Sequence, residues 1–132
     1  MAGAKMVKQL NITTQDKPGM LAEVSDAIAS QGINIEAICA YVMEGKAIFY
    51  VVTKNNTKVK QTLTAKGWQV EEEDVVMVDL ENKPGALSQL SVKLKAKNVN
   101  LRYCYGSACS STCPCVFVVK ADDNNKALEA LK

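Results

Sequence analysis

Asp16-Lys17-Pro18-Gly19 recurs as Asn82-Lys83-Pro84-Gly85, an offset of 66 residues (82 − 16 = 66). Outward from this pair the same offset carries Leu10 and Ile12 onto Val76 and Val78, and Leu21, Val24 and Ile28 onto Leu87, Leu90 and Leu94. Ile33-Asn34-Ile35 falls on Val99-Asn100-Leu101, and Val51-Val52 on Phe117-Val118, with no gap required. A register held over so long a stretch with matching residue classes is the mark of an internal repeat. The chain therefore reads as two copies of one unit, 5–73 and 74–132.

Reading one unit reads both. Lys8 to Thr14 alternates apolar and polar residues, the period of a strand with one buried face, and Val75 to Leu80 repeats it. Pro18 suits the first turn of a helix carrying Leu21, Val24 and Ile28, which Gly32 ends in copy one and Asn98 in copy two. Asn34 to Val42 and Lys46 to Thr53 flank the hairpin turn Met43-Glu44-Gly45, and Leu101 to Ala108 with Cys115 to Lys120 flank a longer segment. Asn56 and Thr57 can cap a second helix carrying Val59 and Leu63, as Asp122 to Asn125 can for Ala127, Leu128 and Leu131. Trp68-Gln69-Val70 then reads as a fourth strand, followed by Glu71 to Asp74, whereas copy two stops at Lys132 without one.

Seven strands and four helices are expected, arranged as an α+β fold of two ferredoxin-like βαββαβ units, the second lacking its last strand. That lack predicts Val75 to Leu80 as a sheet edge in need of cover. Ala47 to Val52 is apolar on both faces, and Val75 and Met77 point opposite to Val76 and Val78, which predicts that the helix-free face packs on something, most simply a second chain.

Composition narrows the function. With 48% hydrophobic and 23% charged residues the 132-residue chain has apolar material for a continuous core. Its 16 basic and 14 acidic residues are interspersed, so no strip suits a nucleic-acid backbone as partner. No stretch approaches the roughly 20 apolar residues of a membrane span, and Met1 to Lys8 has no signal-peptide core, which predicts a cytoplasmic protein with no membrane partner. Histidine is absent, which removes the commonest general base, and no nucleophile and base share a motif, so no enzyme activity and no cofactor are expected. Lys46-Ala47-Ile48-Phe49-Tyr50-Val51 also lacks the Gly-aromatic spacing of an RNA-reading sheet.

The Pro-Gly step carries the binding chemistry. The first N–H groups of a helix have no internal partners, so Gly19, Met20 and Leu21, and likewise Gly85, Ala86 and Leu87, can present donors to a carboxylate. Asn34 and Asn100 follow the first helix of each copy, and an amide both donates and accepts, as recognition of an α-amino acid requires. The lesser alternative is structural: Pro-Gly after a strand is also what any tight strand-to-helix turn uses, and Asn34 can cap a strand.

A strand ending in Asp-Lys-Pro-Gly, a helix, then Gly-Ile-Asn-Ile opening a strand resembles the ACT domain, and two copies cover essentially the whole chain. The resemblance implies ferredoxin-like modules, often paired side by side, that bind amino acids and regulate amino-acid metabolism. It implies sites in which the loop of one module, Asp16, Lys17, Gly19, Met20 and Leu21, faces Asn100, while Asn82, Lys83, Gly85, Ala86 and Leu87 face Asn34. Asp16 offers an anionic partner for a ligand ammonium where Asn82 is neutral, so the Asp16 site is expected to be the tighter. The implied protein is an amino-acid sensor that acts in trans or through its oligomer, expected to be a homodimer. The alternative is a regulatory subunit, such as the small subunit of acetolactate synthase, that docks on a catalytic partner with ligand binding secondary.

Five cysteines without export signals argue for reduced thiols rather than a disulfide framework. Cys109, Cys113 and Cys115, with Cys104 before them, are weak candidates for a metal because their spacing lacks the C-x2-C pair. A Cys109 to Cys113 disulfide is geometrically easier, and idle or buried thiols, Cys39 among them, are the favoured reading.

Overall fold

A computed structural model of the chain describes residues 3–107 and 115–132. In chain order the elements are β1 (Ala4–Gln15), α1 (Met20–Ala29), β2 (Ile35–Met43), β3 (Lys46–Thr53), α2 (Asn56–Ala65), β4 (Gln69–Leu80), α3 (Ala86–Ala96), β5 (Leu101–Ser107), β6 (Cys115–Ala121) and α4 (Asn124–Leu131). The fold is α+β, built of βαββαβ-type units of antiparallel strands and two helices each, as the periodicities predict.

Two compact units emerge, one of Lys8–Glu73 and one of Met1–Val7 with Asp74–Lys132. In the first unit the strand order is β2-β3-β1-β4. Leu10 and Ile12 of β1 pair with Val51 and Phe49 of β3, and all four pack with Val24 and Ile28 of α1 and Val59 and Leu63 of α2. These eight side chains are the residues on one face of the strands and the inward stripe of each helix, and each is no more than 3% exposed.

The second unit has the order β1-β4-β6-β5. Val76 and Val78 pair with Val119 and Phe117 of β6 and pack with Leu90 and Leu94 of α3 and Leu131 of α4. Ala4 and Met6 join this same core, and the Asp79 N–H donates to the Gly3 carbonyl at 3.2 Å. Residues from the start of the chain thus supply the cover that the β4 edge was expected to need. The strand count differs from the expected seven. Glu71 to Asp74 contains neither Gly nor Pro, so nothing turns the chain there and β4 runs unbroken through it; six strands and four helices stand among the described residues.

Two further expectations are corrected by register. Ile12 pairs with Phe49, whereas Val78, 66 residues on (78 − 12 = 66), pairs with Phe117, 68 residues beyond Phe49 (117 − 49 = 68). By ladder position the offset is therefore 68 at β6, and Val51 corresponds to Val119 rather than Phe117. Val75 and Met77 are 0% and 7% exposed within the single chain, so their burial needs no second copy.

An asparagine ties each unit together. The Asn56 amide accepts from the Thr53 N–H at 3.1 Å and donates to the Lys8 carbonyl at 2.8 Å, joining the end of β3 to β1. Asn124 makes the same pair of bonds, from the Ala121 N–H at 3.0 Å and to the Asp74 carbonyl at 2.6 Å. The helix caps are the residues just before, Asn55 and Asp123, whose side chains accept from the N–H groups of Lys58 and Lys126.

Gly106 on β5 lies opposite Phe117, where a Cβ would stand 2.6 Å from both the Phe117 ring and the Val116 carbonyl oxygen. The corresponding position opposite Phe49 is Ala40. Gly106→Ala is therefore expected to cost about 1–3 kcal/mol by overpacking, read by urea denaturation. On the first hairpin the Tyr41 and Tyr50 hydroxyls lie 2.6 Å apart with their rings edge to face. Burial, then the hydrogen bond to Tyr41, raises the Tyr50 pKa. The neutral phenol is thus favoured in the folded state, and its contribution is full below the unfolded value of about 10 and lost as the pH rises beyond it. Tyr50→Phe should flatten the alkaline fall in stability, measured by denaturation across that range.

Candidate functional site

The sequence Lys-Pro-Gly cannot continue a strand, because Pro lacks the N–H of a ladder and Gly turns the chain. In the first unit Gly19 takes φ 90° and stands as the N-cap of α1, so the helix starts at Met20 rather than at Pro18. Gly85 does the same for α3 at φ 88°. Neither cap has a side-chain hydrogen bond, in contrast to α2 and α4, which Asn55 and Asp123 cap.

One expected donor of each turn is engaged. The Met20 and Ala86 N–H groups turn back to the carbonyls of Lys17 and Lys83 at 3.4 and 3.3 Å. The open first-turn positions are then Leu21 and Ala22 in one helix and Leu87 and Ser88 in the other. The helical stripe moves with them: Met20 is buried, while Leu21 and Leu87 are 56% and 47% exposed instead of lying in the core. Each turn therefore sets an exposed leucine beside backbone donors and a positive helix end.

The two turns differ in their charges. Lys17 reaches over α1 to Glu23 at 3.4 Å, a half-exposed pair of small energetic worth. Residue 89 is Gln, so Lys83 finds no carboxylate there and pairs with Glu81 at 2.8 Å. The hydrogen bond from Lys83, then its charge, holds the Glu81 pKa below the ordinary carboxylate value. Asp16 is exposed, and the Cys115 thiol donates to the Asn82 side chain at 3.5 Å.

In the first unit Asn34 is exposed in the loop between α1 and β2. In the second, Asn100 lines a groove of about 480 Å³ between α3 and β5, with Ser91, Lys95 and Asn98. The first unit also holds a cavity of about 400 Å³ that the repeat pattern does not reveal. Lys17, Met20 and Glu23 line it with Lys46, Trp68 and Gln69. Only Lys17 and Met20 were legible as site residues, since Lys46 and Trp68 arrive from β3 and the α2–β4 turn, far away in sequence.

Cys109 and Cys113, and the disulfide weighed for them, lie outside the described residues. Among the described residues no group of three or more His, Cys, Asp or Glu is placed to hold a metal. No helix among them is long and apolar enough to cross a membrane.

Residues 8–65 match the family model of the ACT domain. The matched stretch runs from Lys8 within β1 through α2, and it contains the Gly19 turn, Asn34 and the Asn56 tie. No curated protein matches the sequence. Among solved structures, a protein from Bacteroides thetaiotaomicron is 29% identical with a TM-score of 0.87, over 97% of this chain and 88% of its own. The regulatory subunit of aspartate kinase from Thermus thermophilus, in ligand-free form, is 17% identical with a TM-score of 0.66, over 98% and 91%. The corresponding subunit from Thermus flavus is 18% identical with a TM-score of 0.59, over 99% and 97%. At these identities the kinase subunits establish likeness of fold alone.

Because nothing lies within 4 Å of a Cβ built on Gly19 or Gly85, substitution there is resisted by backbone conformation alone. Gly19→Ala and Gly85→Ala should each cost about 1–2 kcal/mol, and Gly→Asn less, since Asn tolerates positive φ. Thermal unfolding of the four variants measures this order.

Proposed function

We propose that this protein binds a small amino acid and acts as a regulatory sensor of amino-acid metabolism. The observation that carries the reading is the contrast in helix caps. α2 and α4 satisfy their first turns with side chains, while α1 and α3, both following Lys-Pro-Gly, leave theirs open beside an exposed leucine. Backbone donors for a carboxylate next to an apolar contact are what an amino acid with an aliphatic side chain needs. The ACT match over residues 8–65 and the regulatory aspartate kinase subunits of the same fold support the regulatory class.

The ligand-reading residues in this proposal are Asp16, Lys17, Gly19, Met20, Leu21 and Asn34 of the first unit, and Asn82, Lys83, Gly85, Ala86, Leu87 and Asn100 of the second. Asp16 supplies a carboxylate for the ligand ammonium, and Asn82, already engaged by Cys115, supplies only an amide. An effector acts by preferring one state of the protein, its oligomer or its complex with an enzyme over another. The docking alternative is supported by a different observation: Ile38, Val42 and Met43 of β2, the outer strand of the first unit, are exposed. Such a strip suits a second copy or a catalytic partner.

A thermal-shift screen of the common amino acids separates these readings. A ligand at about 100 times its Kd should add about 2.7 kcal/mol of stability. Asp16→Ala is expected to weaken the response several-fold more than Asn82→Ala. No shift with any amino acid at millimolar concentration would overturn the sensor reading and leave docking; equal losses in the two variants would remove the asymmetry.

A further inference from the structure

The cavity of the first unit is unlike the open turns. Its walls come from four separate places in the chain: Thr13 to Gln15 at the end of β1, Lys17, Met20 and Glu23 at the start of α1, Lys46 at the start of β3, and Trp68 after α2. Lys46 is brought there by the β1–β3 ladder, in which it pairs with Gln15. Lys17 already has Glu23 at 3.4 Å. Lys46 has no carboxylate partner among the described residues, so the lining carries two ammonium groups against one carboxylate. Met20 and the half-buried Trp68, which packs on the core, form the apolar wall. A volume of about 400 Å³ is that of a small-metabolite site.

We propose that this cavity is a binding site for a small organic carboxylate, with Lys46 reading the carboxylate and Trp68 bounding the apolar part of the ligand. An excess of one positive charge in a partly enclosed site favours a monoanion, and Lys46 gives it a charge-assisted hydrogen bond. An ammonium on the ligand is not required, because the one carboxylate in the lining is held by Lys17. This deepens the regulatory reading and rests on it for the size of the ligand. It separates from that reading in its readers, since neither Lys46 nor Trp68 belongs to the Pro-Gly turns.

Trp68 is the only tryptophan in the chain, so its emission reports on this cavity, whereas a thermal shift reports ligand anywhere on the protein. The full chain is titrated with L-leucine, with α-ketoisocaproate, which keeps the carboxylate and lacks the ammonium, and with L-leucinamide, which lacks the carboxylate. The expected result is a saturable change of Trp68 emission with α-ketoisocaproate, none with leucinamide, an affinity about tenfold weaker in Lys46→Gln, and recovery to within a few-fold in Lys46→Arg. A thermal shift with leucine while Trp68 emission stays still with all three probes overturns the cavity and leaves the sensor reading standing. An equal response to leucinamide, or a Lys46→Gln affinity equal to that of the parent chain, overturns the carboxylate assignment. An emission response to α-ketoisocaproate without any amino-acid shift upholds the cavity and overturns the amino-acid reading.

Discussion

The positive φ of Gly19 and Gly85 is the constraint on which both units depend. A strand of the sheet has to give way to a helix that lies across one face of it, and a residue with a Cβ meets a steric penalty in that conformation. Because the reversal is completed at glycine, the helices begin at Met20 and Ala86, two residues after Pro18 and Pro84. With that start Met20 lies inward and Leu21 outward. The same reversal places Lys17 at the mouth of the first unit's cavity.

Each unit is then closed by an interaction that spans its sequence. Asn56 and Asn124 hold the end of one strand to the middle of another with two hydrogen bonds to the main chain apiece. Neutral hydrogen bonds of this kind contribute about 1 kcal/mol each, but leaving the strand-end N–H and carbonyl unpaired costs more. The two asparagines stand at an offset of 68 rather than 66 (124 − 56 = 68), the same offset that separates Phe49 from Phe117 in the β1–β3 and β4–β6 ladders.

Similar backbones carry different chemistry. The first unit has an acidic Asp16, a Lys17 leaning on Glu23 and a tryptophan-walled cavity; the second has an Asn82 bonded to a thiol, a Lys83 turned back to Glu81 and a core completed by Ala4 and Met6. Backbone geometry is dictated by a few glycines and the apolar alternation, which the two units share. Charge and cavity lining depend on individual side chains, and those differ.

The sequence by itself determined the α+β class, the order of strands and helices, the inward stripes of Leu10, Ile12, Val24 and Ile28, and the Lys-Pro-Gly turns, because period, proline and glycine act within a few residues. It overstated the strand count at Glu71 to Asp74, where four acidic residues look like a break although no residue there bends the backbone. Only the tertiary structure decided that Ala4 to Val7 completes the second unit and that Val75 and Met77 are buried within one chain. It alone brought Lys46 and Trp68 to the cavity beside Lys17. Those outcomes rest on which distant segments pair in a ladder or meet across a core, and such pairings are chosen by hydrogen bonding and packing between residues whose separation in the chain carries no local signal.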